Sequence, residues 1–276
     1  MIFLLFKFIL LLTIMDGIYL ENSYKLRNFI NIDKLDTYKL SLNKNAINYL
    51  YKNQHLINWN NLCKNKNAIK LIEKNKDKIY WNSLSFNKNA IKILEENQDK
   101  IDWRLLSINK NAFNLIKNNL NKICWYLLSS NKNAIKILEE NQHIINWSIL
   151  SKNQNAIQLL NINKYEINLH LLSLNKNAIK LVEENQHLIK WRYLSKNKNA
   201  IELLKANPDK IDWNELSYNK NAIKLLEANQ DIIDWDNLSE NKNAIKLLKA
   251  NIDKINWYNI SKNSSIFYKR KYKVLI

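Results

Sequence analysis

The sequence predicts an all-α fold, an α-solenoid of about ten 22-residue two-helix repeats, and three observations carry that prediction. Nine tryptophans stand at 59, 81, 103, 125, 147, 191, 213, 235 and 257, every gap being 22 except one of 44, in whose vacant slot Leu169 sits. Ala46, Ala68, Ala90, Ala112, Ala134, Ala156, Ala178, Ala200, Ala222 and Ala244 keep the same period with no insertion. Between these markers the apolar residues follow helical spacing, with capping residues at their ends. A period this strict means one structural unit stacked on copies of itself.

The unit reads N-K-N-A-I-x-L-L-E-x-N-x-x-x-I-D/N-W-x-x-L-S-x, and the stretch LSFNKNAIKILEENQDKIDW (Leu84 to Trp103) shows what each position does. Asn87 is an expected N-cap, its side-chain oxygen accepting a free backbone N–H of the first turn, which places Lys88 at the first helical position. Ala90, Ile91, Ile93 and Leu94 then share one broad helical face. Asn97 is expected to end this helix by adopting the left-handed conformation. A second cap follows in seven of ten units, at Asn58, Asp102, Asn146, Asn168, Asp212, Asp234 and Asn256. With Asp102 as cap, Ile101 and Leu106 occupy the two hydrophobic-staple positions, so the second helix needs only a turn or two. The serine of each LS pair, such as Ser85 and Ser107, is placed to bond backbone at the helix junction.

Helices this short do not persist alone in water, so stacking is what buries Ala, Ile, Leu and Trp together. A fully covered Trp would contribute on the order of 2–3 kcal/mol per unit. Stacked at 8–10 Å per layer, ten units would extend about 90 Å. A half-unit with Asn31, Leu35 and Asp36 precedes the array, and a degraded one with Asn263, Ser265 and Ile266 follows it. The domain reading is therefore an apolar N-terminal segment at 1–22, the solenoid at 23–265, and a basic aromatic tail at 266–276 whose expected role is capping.

The N-terminal MIFLLFKFILLLTIM is shorter than a spanning helix requires. It reads as a signal or anchor, as an apolar cap, or as an extension upstream of a true start at Met15. Cys63 and Cys124 form no metal-type pair and fit free thiols. The formal charge of +18 makes polyanions plausible partners. Lys, Asn and Ile also share A/T-rich codons, so nucleotide bias raises lysine without any selection for phosphate.

The unit resembles the Asn-rich repeats of the form LSxNPNAIxLLxxNPDKIxWxxLS found in uncharacterised proteins of giant DNA viruses. The resemblance covers about residues 26–263, through LSxN, NAI, LL and IDWxxLS, and the lead-in LRNFINIDKLD is similar to that family's usual start. It implies a viral repeat protein in the host cytoplasm or virion, secreted or anchored if residues 1–15 act as a signal, and brings no catalytic residue or ligand. The departure is at the prolines: NPN is NKN here, and only Pro208 keeps the second one. The unit is more distantly similar to the leucine-rich-repeat variant.

Gly17 is the only glycine, which excludes glycine-rich phosphate loops. His55, His143 and His187 share a register several repeats apart, too far to share a metal, and His170 is alone. Glu95–Glu96, Glu139–Glu140 and Glu183–Glu184 recur in register as a solvated face. No catalytic, metal or cofactor site is expected, and a non-enzymatic, monomeric scaffold for a host or viral protein is the leading expectation. Its candidate face is the variable slots after LS and after Trp: Phe86, Arg104, Ile108, Tyr126, Arg192, Tyr193 and Tyr218. The rival is a nucleic-acid or other polyanion binder using the ladder Lys44, Lys66, Lys88, Lys110, Lys132, Lys176, Lys198, Lys220 and Lys242, interrupted by Gln154. A membrane or structural virion role would hang on the N-terminal segment.

Overall fold

The computed structural model describes residues 24–185 and 189–269. The apolar segment at 1–22, His187 and residues 270–276 lie outside them. Among the described residues no helix is long and apolar enough to cross a membrane.

The chain is an α-solenoid. Each unit carries a first helix that begins just after its alanine, from Ile47–Lys52 to Ile245–Ala250. In most units a 3-10 turn such as Gln98–Lys100 follows, and a second helix begins at the Trp slot, as in Trp103–Leu106. The second caps form as the sequence predicts: Asp102 accepts the N–H of Leu105 at 2.9 Å, and Asn58, Asn146, Asn168, Asp212, Asp234 and Asn256 do the same in their units. Where the slot holds Tyr80, Cys124 or Lys190, no side chain caps the helix. The staple positions Ile101 and Leu106 are both in the core.

Three expectations about the first helix and the Trp are corrected. Its N-cap is the buried Ala90, not Asn87, and the cap side chain makes no hydrogen bond. Asn87 instead lies three residues earlier, its Oδ1 accepting the N–H of Asn89 to fold the NKN turn. Lys88 therefore sits in that turn rather than at the first helical position. The helix ends at Glu95 with Glu96 as its C-cap, and Asn97 follows with φ at −138° and ψ at 52°, no described residue having a positive φ. The Asn97 side-chain amide donates to the carbonyl of Ile93 at 2.8 Å, satisfying one of the helix's free carbonyls directly. The tryptophans are half-buried rather than fully covered. Several carry a lysine from the next unit's 3-10 turn over the ring, as Lys100 does over Trp81 at 4.9 Å.

Side chains join one unit to the next. Asn87, 1% exposed, donates its amide to the carbonyls of Cys63 and Asn65 in the preceding unit, at 2.8 and 3.1 Å. Asn89 donates to the carbonyl of Lys66 at 2.8 Å. Ser85 donates to the carbonyl of Trp81 within its own helix and accepts the N–H of Asp102, the cap of the following unit. The LS serine thus bonds backbone at the junction, as expected, and also links two units. The same three devices recur along the chain, and no buried polar side-chain atom among the described residues lacks a partner.

The stack does not extend into a rod; it closes into a ring. Asn43 in the first full unit donates to the carbonyls of Ser261 and Asn263 at 3.0 and 3.1 Å. Asn45 donates to the carbonyl of Ser264, and the N–H of Asp36 to Ser261 Oγ. These separations of 218, 220, 219 and 225 residues fall short of eleven full periods by 24, 22, 23 and 17, the separations found between ordinary neighbours. Lys34 stacks on Trp257 at 5.2 Å in the same relation as Lys100 on Trp81. The two terminal fragments are complementary halves of one unit. Residues from Asn31 supply a 3-10 turn and the second helix Thr37–Leu42, while Asn263–Ile266 supply the opening turn. A two-stranded antiparallel ribbon replaces the missing first helix. β1 (Tyr24–Leu26) pairs with β2 (Phe267–Lys269), Lys25 facing Tyr268. Ile266 and Phe267, read from the sequence as tail, are core residues, and Arg27 Nε clamps the seam on the Ser265 carbonyl at 2.7 Å.

An open solenoid exposes the core at both ends and needs polar capping repeats. Closure removes both ends, and each unit, the assembled eleventh included, has two neighbours.

Candidate functional site

Two surfaces carry the side chains that the sequence singled out. The first is the exposed side of the second helices. Phe86, Arg104, Tyr126, Arg192 and Tyr193 are exposed there, whereas Ile108 and Tyr218 are half-buried. The slots after LS and after Trp interlock across units. Glu215 takes Arg192 at 3.3 Å and Lys196 at 2.9 Å, and Lys196 lies over the Tyr218 ring at 4.5 Å. Arg192 and Tyr218 thus belong to one cluster. At the seam, Glu240 bridges Lys262 and Lys39, and Lys39 lies over Tyr258 at 4.5 Å. Burial opposes the ionisation of Glu215, but the hydrogen bonds and charges of Lys196 and Arg192 outweigh it and hold the carboxyl below its usual range. Burial, followed by the field of Glu240 and Asp234, pushes the Tyr218 phenol up.

Part of this variation is packing. The second position after Trp is occupied by Asn61, whose amide donates to the Tyr38 carbonyl, and by Asn237 and Asn259, which do the same to Asn214 and Asp236. Ser83 donates to Asn60 Oδ1 at the equivalent place.

The second surface is the NKN turn. The backbone of the ladder is tied together: the carbonyls of Lys44, Lys66, Lys88, Lys110, Lys132, Lys176, Lys198 and Lys220 each accept the amide of the second Asn of the following unit, and Gln154 is held likewise. No ladder lysine takes part in an ion pair among the described residues. The ammonium groups act on one another instead. The Lys88 charge, then burial and Lys44, lowers Lys66. Lys110 and Lys176 are lowered first by burial and then by ladder charges, Lys110 feeling Lys176 three units away. Lys242 is lowered by burial and by Lys220, Lys44 and Lys66, the last two lying across the seam.

His55, His143 and His170 are exposed, and no described cluster of His, Cys, Asp and Glu could hold a metal ion. The paired glutamates are exposed on the first helices. Cys63 is buried in a serine slot, where burial pushes its thiol up against the opposing effect of the Tyr80 N–H, and Cys124 is a second free thiol. Between neighbouring first helices lie open grooves, one of about 740 Å³ lined by Lys44, Ile47, Tyr51, Lys66 and Lys70, and one of about 460 Å³ lined by Lys198, Glu202, Lys205 and Lys224.

No family model, curated protein or solved structure matches the chain.

Sequence reasoning missed the closure and the inter-unit role of the asparagines. A signal for the first was present: the fragment at Asn31–Leu42 is the second half of a unit and Asn263–Ile266 the beginning of one.

Proposed function

We propose that the protein is a non-enzymatic interaction ring that presents the second-helix face to a host or viral protein. The resemblance of its repeats to those of giant DNA viruses supports the viral setting. One observation carries the reading. The core, the caps and the Asn and Ser links are nearly identical from unit to unit, while Phe86, Arg104, Tyr126, Arg192 and Tyr193 differ and stand exposed. Large aromatic and Arg side chains at such positions are the residue types that dominate protein interfaces, and an extended array of variable positions on a fixed core is how repeat proteins display a binding face.

The test is comparative proximity labelling in infected cells with Phe86→Asp, Tyr126→Asp and Tyr193→Asp. A control variant changes Glu95→Gln and Glu139→Gln on the first helices. The reading expects a partner labelled by wild type and control and lost by the triple variant. Identical labelling by all three proteins would overturn it.

A further inference from the structure

The ladder lysines become something different once the solenoid closes. In a straight stack, Lys110 and Lys176 would stand three layers apart, about 25–30 Å, beyond a Debye length at physiological salt. In the ring they act on each other. The reason lies in what spaces the turn. Asn amides reach from each NKN turn to the backbone carbonyls of the previous one, with hydrogen bonds of 2.8 to 3.2 Å. One amide side chain and one hydrogen bond span roughly 6 Å, so eleven turns make a circle of roughly 10 Å radius. Neighbouring second helices pack against one another, whereas neighbouring first helices stand apart with open grooves between them, so the side that carries the second helices and the NKN turns lies on the inside of the curve. A lysine stem reaches roughly 6 Å, enough to bring the ladder ammonium groups together near the axis.

We propose that the nine ladder lysines form an axial anion site for a compact polyphosphorylated small molecule. The site is independent of the protein-docking reading of the second-helix face. Three features favour this ligand over a nucleic-acid strand. The lysines occupy one equivalent position in nine of the ring's eleven units, Gln154 and Ser264 holding the other two, so they form a single layer of charge. A strand passing through one layer places only one or two phosphates in it, whereas a compact polyphosphate meets many ammonium groups at once. No aromatic residue occupies a ladder position, so the lysine layer itself offers no repeating row of rings on which successive bases could stack. The lysines also have no carboxylate partner among the described residues, leaving their mutual repulsion for a ligand to relieve.

The ligand's phosphates would come either from a phosphoanhydride chain or from several phosphomonoesters on one small scaffold. Inorganic tripolyphosphate and inositol hexakisphosphate probe the two sources. Titration calorimetry and thermal unfolding of the full chain, at about 0.15 M salt, should show saturable binding and a raised Tm with at least one probe, beyond the effect of sodium chloride at matched ionic strength. The triple variant Lys110→Gln, Lys132→Gln, Lys176→Gln should fold, because it removes repulsion, and should lose at least about tenfold in affinity. The matched variant Lys92→Gln, Lys136→Gln, Lys180→Gln removes the same charge from first helices, two in the same units and one in the unit before, and should bind within about twofold of wild type. Equal weakening by both triples would reduce the effect to overall charge and overturn the proposal. So would absence of binding by either probe, or tight binding of a single-stranded oligonucleotide of about twenty nucleotides that neither probe displaces.

Discussion

The side-chain amide of Asn43 has inter-unit partners only if the ring is closed, which makes Asn43→Ala a direct probe of the architecture. Its amide donates to the carbonyls of Ser261 and Asn263 at 3.0 and 3.1 Å, and its Oδ1 accepts the N–H of Asn45 at 3.1 Å. The side chain is 1% exposed, so truncation leaves two carbonyls and one N–H without their partner and with little access to water. At about 1 kcal/mol for each lost bond, the change costs roughly 3 kcal/mol. In a domain of this size that lowers Tm by about 6–12 °C. Asn131→Ala is the internal reference, since Asn131 makes the same three bonds, to Ser107, Asn109 and Asn133, in the middle of the chain. Denaturant unfolding followed by circular dichroism should give both variants the same loss within about 1 kcal/mol. In an open solenoid Asn43 would keep only its local turn. A near-wild-type Asn43→Ala beside a strongly destabilised Asn131→Ala would therefore refute closure.

Ser107→Ala removes the donor to the Trp103 carbonyl and the acceptor for the Cys124 N–H, at 2.8 and 2.9 Å, and should cost about 1–3 kcal/mol in the same unfolding assay. Cys124→Asn supplies the cap that this unit lacks and should stabilise by about 0.5–1 kcal/mol, whereas Asp102→Ala should destabilise by about 1 kcal/mol. For pH, the lysines 66, 110, 176 and 242 are lowered in the fold from 10.5, so their charged forms are disfavoured there relative to the unfolded chain. That penalty is complete below their folded values and is relieved as pH rises toward 10.5, so this contribution to stability increases across that window. The triple Gln variant of Lys110, Lys132 and Lys176 should show a smaller rise in Tm over the same pH range.

Much of the local structure is legible in the sequence because it is decided within a few residues. An Asp or Asn before the Trp slot caps the second helix by bonding a backbone N–H three residues on, and the seven capped and three uncapped units follow from that one letter. The first helix is less legible. NKN offers an Asn where a cap would fit, but tertiary contact claims its amide for the neighbouring unit, and the buried Ala takes the cap position. The candidate face is legible as a set of variable letters. Which of them are exposed is not, because Tyr218 and Phe86 share a slot and differ through Lys196, a neighbour 22 residues away from Tyr218 in sequence.

By itself, then, the sequence determines the repeat, its two helices, the second caps, the serine junctions and the all-α class, all of which depend on interactions within one period. Only the tertiary structure decides that the array closes and that the lysines meet. Closure requires each unit to turn by roughly 33°, one eleventh of a circle, and that angle is set by how the tightly spaced Asn turns and second helices pack with the more widely spaced first helices. No single unit encodes it. The ribbon between Tyr24–Leu26 and Phe267–Lys269 then joins segments at opposite ends of the described chain, and a ladder that is linear in sequence becomes a ring of charge in space.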